Sequence, residues 1–238
     1  MYYGGFAPYQ TIDELRYTNI KKKATYIKKH PDAHPIVLAG KLGKTWWGKA
    51  WNQNLERYAD YENRLSRGKR YIKGEAIFDL QIKKGSISAV VAGSGRKLYE
   101  VAIEIDAMSC KQWELLQKSC GNQIESLELL LQGQFPKALK DAFFLQNNGL
   151  FPNPKQIHIH CSCPDYAVLC KHAAAVLYAV SIQLDEDPAL FFQLRNINME
   201  DLIKKALGEN VDQLIRNAQK KSPRILVEED IESLFHLL

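Results

Sequence analysis

Between residues 76 and 105, apolar and polar residues alternate with a period of two, which is typical of half-buried β-strands. The turn-forming sequences KKGS and GSGR interrupt the alternation twice. The apolar faces of the three resulting strands contain Ala76, Phe78, Leu80 and Ile82, then Ile87, Ala89 and Val91, then Tyr99, Val101, Ile103 and Ile105. This pattern predicts a three-stranded antiparallel meander.

Helical periodicity flanks the meander on both sides. Before it, Trp47, Trp51, Leu55 and Tyr58 are spaced by 4, 4 and 3 residues, which favours a helix whose apolar stripe faces the core. The Lys-rich stretch NIKKKATYIKKHPDAHP, residues 19–35, is interpreted as an arm or connector. After the meander, helical patterns cover about 109–118, 122–131, a stretch from Pro136, 170–184, 187–195, 199–207 and 210–220. Strands and helices together predict an α+β fold.

Composition places the chain among globular proteins, since 46% of its 238 residues are hydrophobic and 25% are charged. No run approaches the roughly 20 apolar residues that cross a bilayer. The start MYYGGFAPYQ lacks the basic and apolar regions of a secretory signal. We therefore expect a cytoplasmic protein with no membrane partner.

Charge is distributed unevenly along the chain. Residues 1–97 contain 19 Lys and Arg against 8 Asp and Glu, a balance of +11, whereas the rest of the chain is acidic. Basic residues with interleaved tyrosines, among them Tyr61 and Tyr71, suit phosphate contact and base stacking. The candidate nucleic-acid-binding residues are Lys49, Arg57, Arg64, Arg67, Lys69, Arg70 and Lys73. The alternative is that 64–73 is a solvated loop leading into the meander.

The acidic half offers a candidate protein-docking face around LDEDPALFFQLRNINMEDL. Phe191, Phe192 and Leu194 could supply apolar anchors inside its acidic rim. The alternative is that these three side chains pack against the helix that begins near residue 170.

No catalytic motif is evident. Gly43-Lys44-Thr45 resembles the end of a phosphate-binding loop, but that pattern requires a glycine at position 38, which is Leu38. The sequence contains no H-E-x-x-H and no G-x-S-x-G. We therefore predict a binding protein rather than an enzyme.

The stretch HCSCPDYAVLCKH, residues 160–172, contains three of the five cysteines of the chain. Cys161 and Cys163 share one face of an extended strand, and Cys170 with His172 follows a turn, just before an apolar helix. Three thiolates and one imidazole fill the four tetrahedral positions of a structural zinc ion. The alternatives are a chance cluster or free thiols; a redox pair would require C-x-x-C, which is absent.

His158 and His160 lie on the opposite strand face and are predicted not to be ligands, and Cys110 and Cys120 are interpreted as ordinary helix cysteines.

The sequence CSCPDYAVLCKH, followed by an Ala-rich apolar helix, resembles the SWIM zinc finger, whose pattern is C-x-C, a variable gap and C-x-H. This resemblance implies that Cys161, Cys163, Cys170 and His172 bind Zn²⁺. Three further stretches, KTWWGKAW, RLSRGKRYIKG and DEDPALFFQLR, are similar to prokaryotic SWIM proteins, which are often encoded beside Swi/Snf-type helicase-like ATPases. With these stretches the resemblance covers roughly residues 40–195. It implies an accessory protein with a small ββα zinc module, which binds nucleic acid or protein and has no established enzymatic activity.

We predict four regions: a basic aromatic-rich region with the meander (1–106), a helical connector (107–150), the zinc module (151–185) and an acidic helical region (186–238). The predicted function is a non-enzymatic zinc-binding accessory protein that binds nucleic acid, DNA rather than RNA, and assists a Swi/Snf-type ATPase. Two alternatives stay open: a bridging subunit without nucleic-acid contact, and an RNA- or ribosome-associated factor.

Overall fold

The computed structural model of the chain describes residues 10–57, 62–120, 127–134, 137–145, 149–165 and 167–198. Over these ranges the prediction of an α+β fold is confirmed. The helices are α1 (Ile12–Lys29), α2 (Trp46–Glu56), α3 (Glu62–Lys73), α4 (Cys110–Cys120), α5 (Leu127–Leu131), α6 (Lys137–Phe143), α7 (Lys171–Glu186) and α8 (Ala189–Leu194). The strands are β1 (Ile77–Lys83), β2 (Ser86–Ala92), β3 (Leu98–Ile105) and β4 (Ile157–Cys161). Tyr58, Tyr61 and the helical patterns at 199–207 and 210–220 lie outside the described residues.

The strands form one antiparallel sheet in the order β1-β2-β3-β4. The predicted meander supplies its first three strands. Strand β4, from the predicted zinc module, pairs with β3, so that Ile103 lies opposite Ile159 and Val101 opposite Cys161. The zinc module therefore extends the meander sheet within the described residues, and the four-region division stays a prediction.

Helix α7 is the central helix of the core. All residues from Ala173 to Val180 are fully buried, as expected for a helix that is apolar on every side. It contacts the sheet, α2, α3 and α8. The predicted apolar stripe of α2 is confirmed, because Trp47, Trp51 and Leu55 are fully buried and Trp51 Nε1 donates to the carbonyl of Leu177 at 2.8 Å.

Helix α1 replaces the predicted arm, so the interpretation of the Lys-rich stretch as a connector was wrong. The helix docks through a buried ionic contact. Glu75 accepts hydrogen bonds from Lys23 Nζ and Arg16 Nε, both at 2.6 Å. Asn19 also donates to the carbonyl of Gly74 at 2.8 Å. The residues that form these contacts lie far apart in the sequence, so local sequence patterns did not reveal the contacts.

Among the described residues, no helix combines the length and apolar character that crossing a bilayer requires.

Candidate metal centre and basic cavity

The four predicted zinc ligands converge where β4 ends and α7 begins. Their ligand atoms all lie within 4.8 Å of one another. His172 Nδ1 is 3.9 Å from the Sγ atoms of both Cys161 and Cys170. Cys170 and His172 are buried, whereas Cys161 and Cys163 are partly exposed.

Local structure explains how each ligand reaches the cluster. Cys161 is the last residue of β4, and Cys163 lies in the following turn rather than on a continuing strand. Cys170 is the N-cap residue of α7, where its Sγ accepts a hydrogen bond from the amide of Ala173 at 3.4 Å. His172 follows in the first turn of that helix.

The thiols of the cluster differ in acidity. The pKa of Cys170 is lowered to about 3, first because the Cys161 thiol donates to its sulfur, and further because His172 and the amide of Ala173 stabilise the thiolate. The same contact with Cys170, together with burial, raises the pKa of Cys161. Cys170 is therefore the sulfur that holds a negative charge most readily, at the positive end of the α7 dipole.

The geometry fits a tetrahedral zinc ion. Zinc–sulfur and zinc–nitrogen bonds of about 2.3 and 2.0 Å imply a sulfur–nitrogen separation of about 3.5 Å across a tetrahedral site. The observed separations of 3.9 Å require only a small contraction. Three cysteines and one histidine complete the coordination shell and leave no position for a reactive water.

Comparison with known proteins supports the same assignment, since residues 145–181 match the family model of the SWIM zinc finger. Residues 145–181 are a SWIM zinc finger. The chain is also 33% identical over 174 residues to the uncharacterized protein Rv2102 of Mycobacterium tuberculosis (strain ATCC 25618 / H37Rv). The alignment spans 73% of this chain and 62% of that relative. No solved structure matches the chain.

The SWIM zinc finger is a zinc-binding module, and the cluster of Cys161, Cys163, Cys170 and His172 is consistent with its C-x-C…C-x-H zinc site. His158 and His160 are exposed and lie outside this cluster. His158 Nε2 instead lies 2.9 Å from Asp106 Oδ1.

The zinc histidine packs between two tyrosines that the sequence did not connect with the metal. The ring centroid of His172 lies 4.5 Å from that of Tyr99 and 5.3 Å from that of Tyr71. Tyr71 is buried, so its predicted role in stacking on a nucleic-acid base was wrong. Tyr71 lies three residues after the buried Gly68, on the same face of α3, and helix α7 packs against α3.

The predicted basic segment 64–73 belongs to helix α3, and the alternative of a solvated loop was wrong. Arg64 Nη1 pairs with Asp165 Oδ2 of the zinc-finger turn at 2.8 Å. Lys69 Nζ pairs with Glu56 Oε1 at 2.7 Å. Arg70 is partly buried, whereas Arg67 and Lys73 are exposed.

The two remaining basic candidates lie on or next to α2 and are both exposed. Lys49 is within the helix, and Arg57 is its C-cap residue. Arg57 Nη1 donates to the carbonyl of Phe144 at 3.1 Å. The seven candidates therefore lie on two helices, α2 and α3, or at the end of one of them.

Three of the seven instead meet in a cavity of about 420 Å³. Lys49 from α2 and Lys69 and Lys73 from α3 line it, together with Lys41 from the loop before α2. Sequence reasoning missed Lys41 because it is separated from the α3 lysines by about 30 positions. Only the folded chain brings these side chains together.

The structure shows what occupies the place of a phosphate beside Gly43-Lys44-Thr45. The N-terminus of α2, where such a loop would hold phosphate, is occupied by the carboxylate of Asp185 from α7. Asp185 accepts from the amides of Lys44 and Thr45 at 2.7 and 2.8 Å and from Thr45 Oγ1 at 2.8 Å. The chain thus supplies its own anion to this helix end.

The predicted docking anchors lie in the core rather than on the surface. Phe191, Phe192 and Leu194 are buried. The rings of Phe191 and Phe192 lie 5.6 and 5.4 Å from that of Trp47. Their proposed role as exposed anchors was wrong, because α8 uses its apolar face to close the core beside α2.

Proposed function

We propose that this protein is a non-enzymatic accessory protein that binds nucleic acid, DNA in preference to RNA, with zinc fixing the geometry of the binding surface. The observation that carries the proposal is the direct packing of the zinc-bound helix α7 on the basic helix α3. Zinc fixes the start of α7, and α7 in turn fixes α3.

Close packing between these two helices supports this chain of contacts. Gly68 of α3 lies against Ala174 of α7, two residues beyond the zinc ligand His172. Arg64 of α3 also pairs with Asp165 in the turn that connects the zinc ligands. A shift of the zinc finger would therefore move the basic residues of α3.

The exposed cations suit a phosphate backbone. Lys49, Arg57, Arg67 and Lys73 are all exposed. Phosphate contacts bind without strong sequence selectivity and weaken steeply with salt. We therefore expect affinity for many sequences rather than for one site.

Fluorescence anisotropy with a labelled duplex, a single strand and an RNA of equal length tests the proposal. Arg67→Ala removes one exposed charge from α3, and Lys111→Ala removes one from α4 as the matched control. We expect Arg67→Ala to reduce the magnitude of the log–log salt slope on duplex DNA by about 0.9, and the control to leave it unchanged. Absence of binding to all three probes at low salt would refute nucleic-acid binding.

We also propose that the protein assists a Swi/Snf-type helicase-like ATPase, on the basis of the resemblance described above. Truncation near residue 185 is a poor test, because it would remove the buried rings of Phe191 and Phe192. Co-purification of the full chain with a candidate ATPase, with and without DNA, is the suitable experiment. Recovery of the ATPase without any nucleic-acid affinity of the chain would favour the bridging-subunit alternative.

A further inference from the structure

We propose that the lysine-lined cavity between α2, α3 and the loop before α2 is a binding site for one phosphorylated nucleotide. The nucleotide could be free or form the end of a strand, and only the second case rests on the proposed function. The site is distinct from the zinc centre, and three observations carry the inference.

The first observation is the charge of the cavity. Lys41, Lys49, Lys69 and Lys73 line it with Glu56, which gives a net charge of three positive. Glu56 is already engaged, since its Oε1 accepts from Lys69 Nζ at 2.7 Å and from Tyr178 OH at 2.9 Å.

The other three lysines form no ion pair within the part of the chain that the structure describes. Like charges that converge on one concavity repel one another. A phosphate group relieves this repulsion, because lysine ammonium groups bind it as point charges. The cavity is therefore suited to an anion that carries more than one negative charge.

The second observation is a buried amide that lacks a partner. Asn52 of α2 lines the cavity, is only 8% exposed, and its Oδ1 makes no hydrogen bond with any described residue. Buried acceptors are nearly always satisfied in folded proteins. An acceptor calls for an O–H or N–H donor, which inorganic phosphate at neutral pH supplies poorly and which a sugar hydroxyl or base amino group supplies well.

The third observation is the size and lining of the cavity. Its volume of about 420 Å³ lies within the range of about 300–1,000 Å³ that small-ligand sites occupy. Leu38 and Leu42 add apolar wall beside the lysines. The cavity therefore matches the parts of a nucleotide. It offers positive charge for a phosphate, an acceptor for a hydroxyl or amino group, and an apolar wall for a ring.

Isothermal titration calorimetry at low salt tests the site with AMP, ADP, pyrophosphate and inorganic phosphate. A second series compares a 12-nucleotide single strand with and without a 5′-phosphate. The variants are Lys49→Ala/Lys73→Ala and Asn52→Ala, and Lys111→Ala/Lys118→Ala on α4 is the control with equal charge loss. Zinc content and melting temperature are measured for every variant, so that loss of fold is recognised.

We expect the wild-type chain to bind ADP at least tenfold more tightly than inorganic phosphate. Lys49→Ala/Lys73→Ala should weaken all phosphate probes at least tenfold, and the α4 control should bind like wild type. The wild-type chain should also bind ADP more tightly than pyrophosphate, and Asn52→Ala should abolish this preference while pyrophosphate binding persists. This last result separates a nucleotide site from a simple attraction between charges.

The outcomes separate this inference from the proposed function. If strands bind equally with and without a 5′-phosphate, nucleotides do not bind, and the cavity variant matches its control, the inference is overturned and nucleic-acid binding stands. If ADP binds and the cavity variant abolishes that binding while no strand binds, the inference holds for free nucleotides and the proposed function fails. Equal loss of binding in the cavity variant and the α4 control would also overturn the inference, because it would indicate a diffuse charge effect.

Discussion

The close contact between α3 and α7 can be tested by adding one methyl group. Gly68 of α3 is buried, and a Cβ at this position would lie 2.6 Å from Ala174 Cβ. It would also lie 2.8 Å from the backbone carbon of Ala174 and 2.9 Å from the amide nitrogen of Ala175. These neighbours are backbone and a methyl group, so no flexible side chain can move aside.

The expected cost of Gly68→Ala follows from two opposing effects. Alanine is intrinsically better than glycine in a helix by about 1 kcal/mol. Overpacking of a well-packed core costs about 1–3 kcal/mol. The helices must separate by about 1 Å to restore a carbon–carbon contact of about 3.6 Å. The cost of this clash with backbone therefore lies at the upper end of the range. We therefore expect a net destabilisation of about 2 kcal/mol, which corresponds to a fall of about 6 °C in the melting temperature of a domain of this size.

Thermal and urea denaturation, followed by circular dichroism at fixed zinc concentration, measures this difference. Gly95→Ala is the matched control, because a Cβ at Gly95 meets nothing within 4 Å, and it should change stability little. A Gly68→Ala protein at least as stable as wild type would refute the close approach of the two helices.

Three further predictions concern the zinc site, the α1 contact and the α2 cap. Cys163→Ser should lose stoichiometric zinc and melt at a markedly lower temperature, because structural zinc contributes about 10–16 kcal/mol of apparent binding energy. The control Cys110→Ser, at an exposed position away from the cluster, should retain zinc. Full zinc content in both proteins by elemental analysis would contradict the ligand assignment. Glu75→Gln should cost about 3 kcal/mol at pH 7, since it leaves the buried Lys23 ammonium without its carboxylate. Burial raises the pKa of Glu75, but the hydrogen bonds from Lys23 and Arg16 outweigh it, so the pKa is lowered. The contribution of Glu75 to stability is therefore present above the unfolded pKa of about 4.3 and is lost as the pH falls through the folded pKa. Urea melts of both proteins from pH 7 to pH 3 measure this, and a stability difference that grows in acid would show that the sign is wrong. Asp185→Ala removes three hydrogen bonds at the start of α2 and should cost roughly 3 kcal/mol, and unchanged chemical denaturation would show that the cap contributes nothing.

Features encoded over short stretches of sequence were predictable. The meander follows from its period of two, and the zinc ligands follow from the spacing of Cys161, Cys163, Cys170 and His172. In both cases the residues that interact are neighbours in the sequence or are joined by tight turns. Their geometry is therefore largely fixed by local backbone structure.

Features that depend on distant partners were not predictable. The pairing of β4 with β3 joins segments about 55 residues apart, and no local pattern specifies it. The roles of Tyr71 and Phe191 were misassigned because an aromatic residue beside charged residues suits either a ligand or a core, and only the position of α7 decides between them. Lys41 and Asn52 became candidates only when the loop, α2 and α3 came together around one cavity.

The salt dependence of duplex DNA affinity tests the central proposal most directly. Four exposed basic side chains, Lys49, Arg57, Arg67 and Lys73, are available for phosphate contacts, and each releases counterions that contribute about −0.9 to the log–log slope. The zinc-loaded wild-type protein should therefore show a slope near −4 in anisotropy titrations from about 50 to 200 mM salt. A slope near zero, or no binding of the duplex at the lowest salt, would contradict the account.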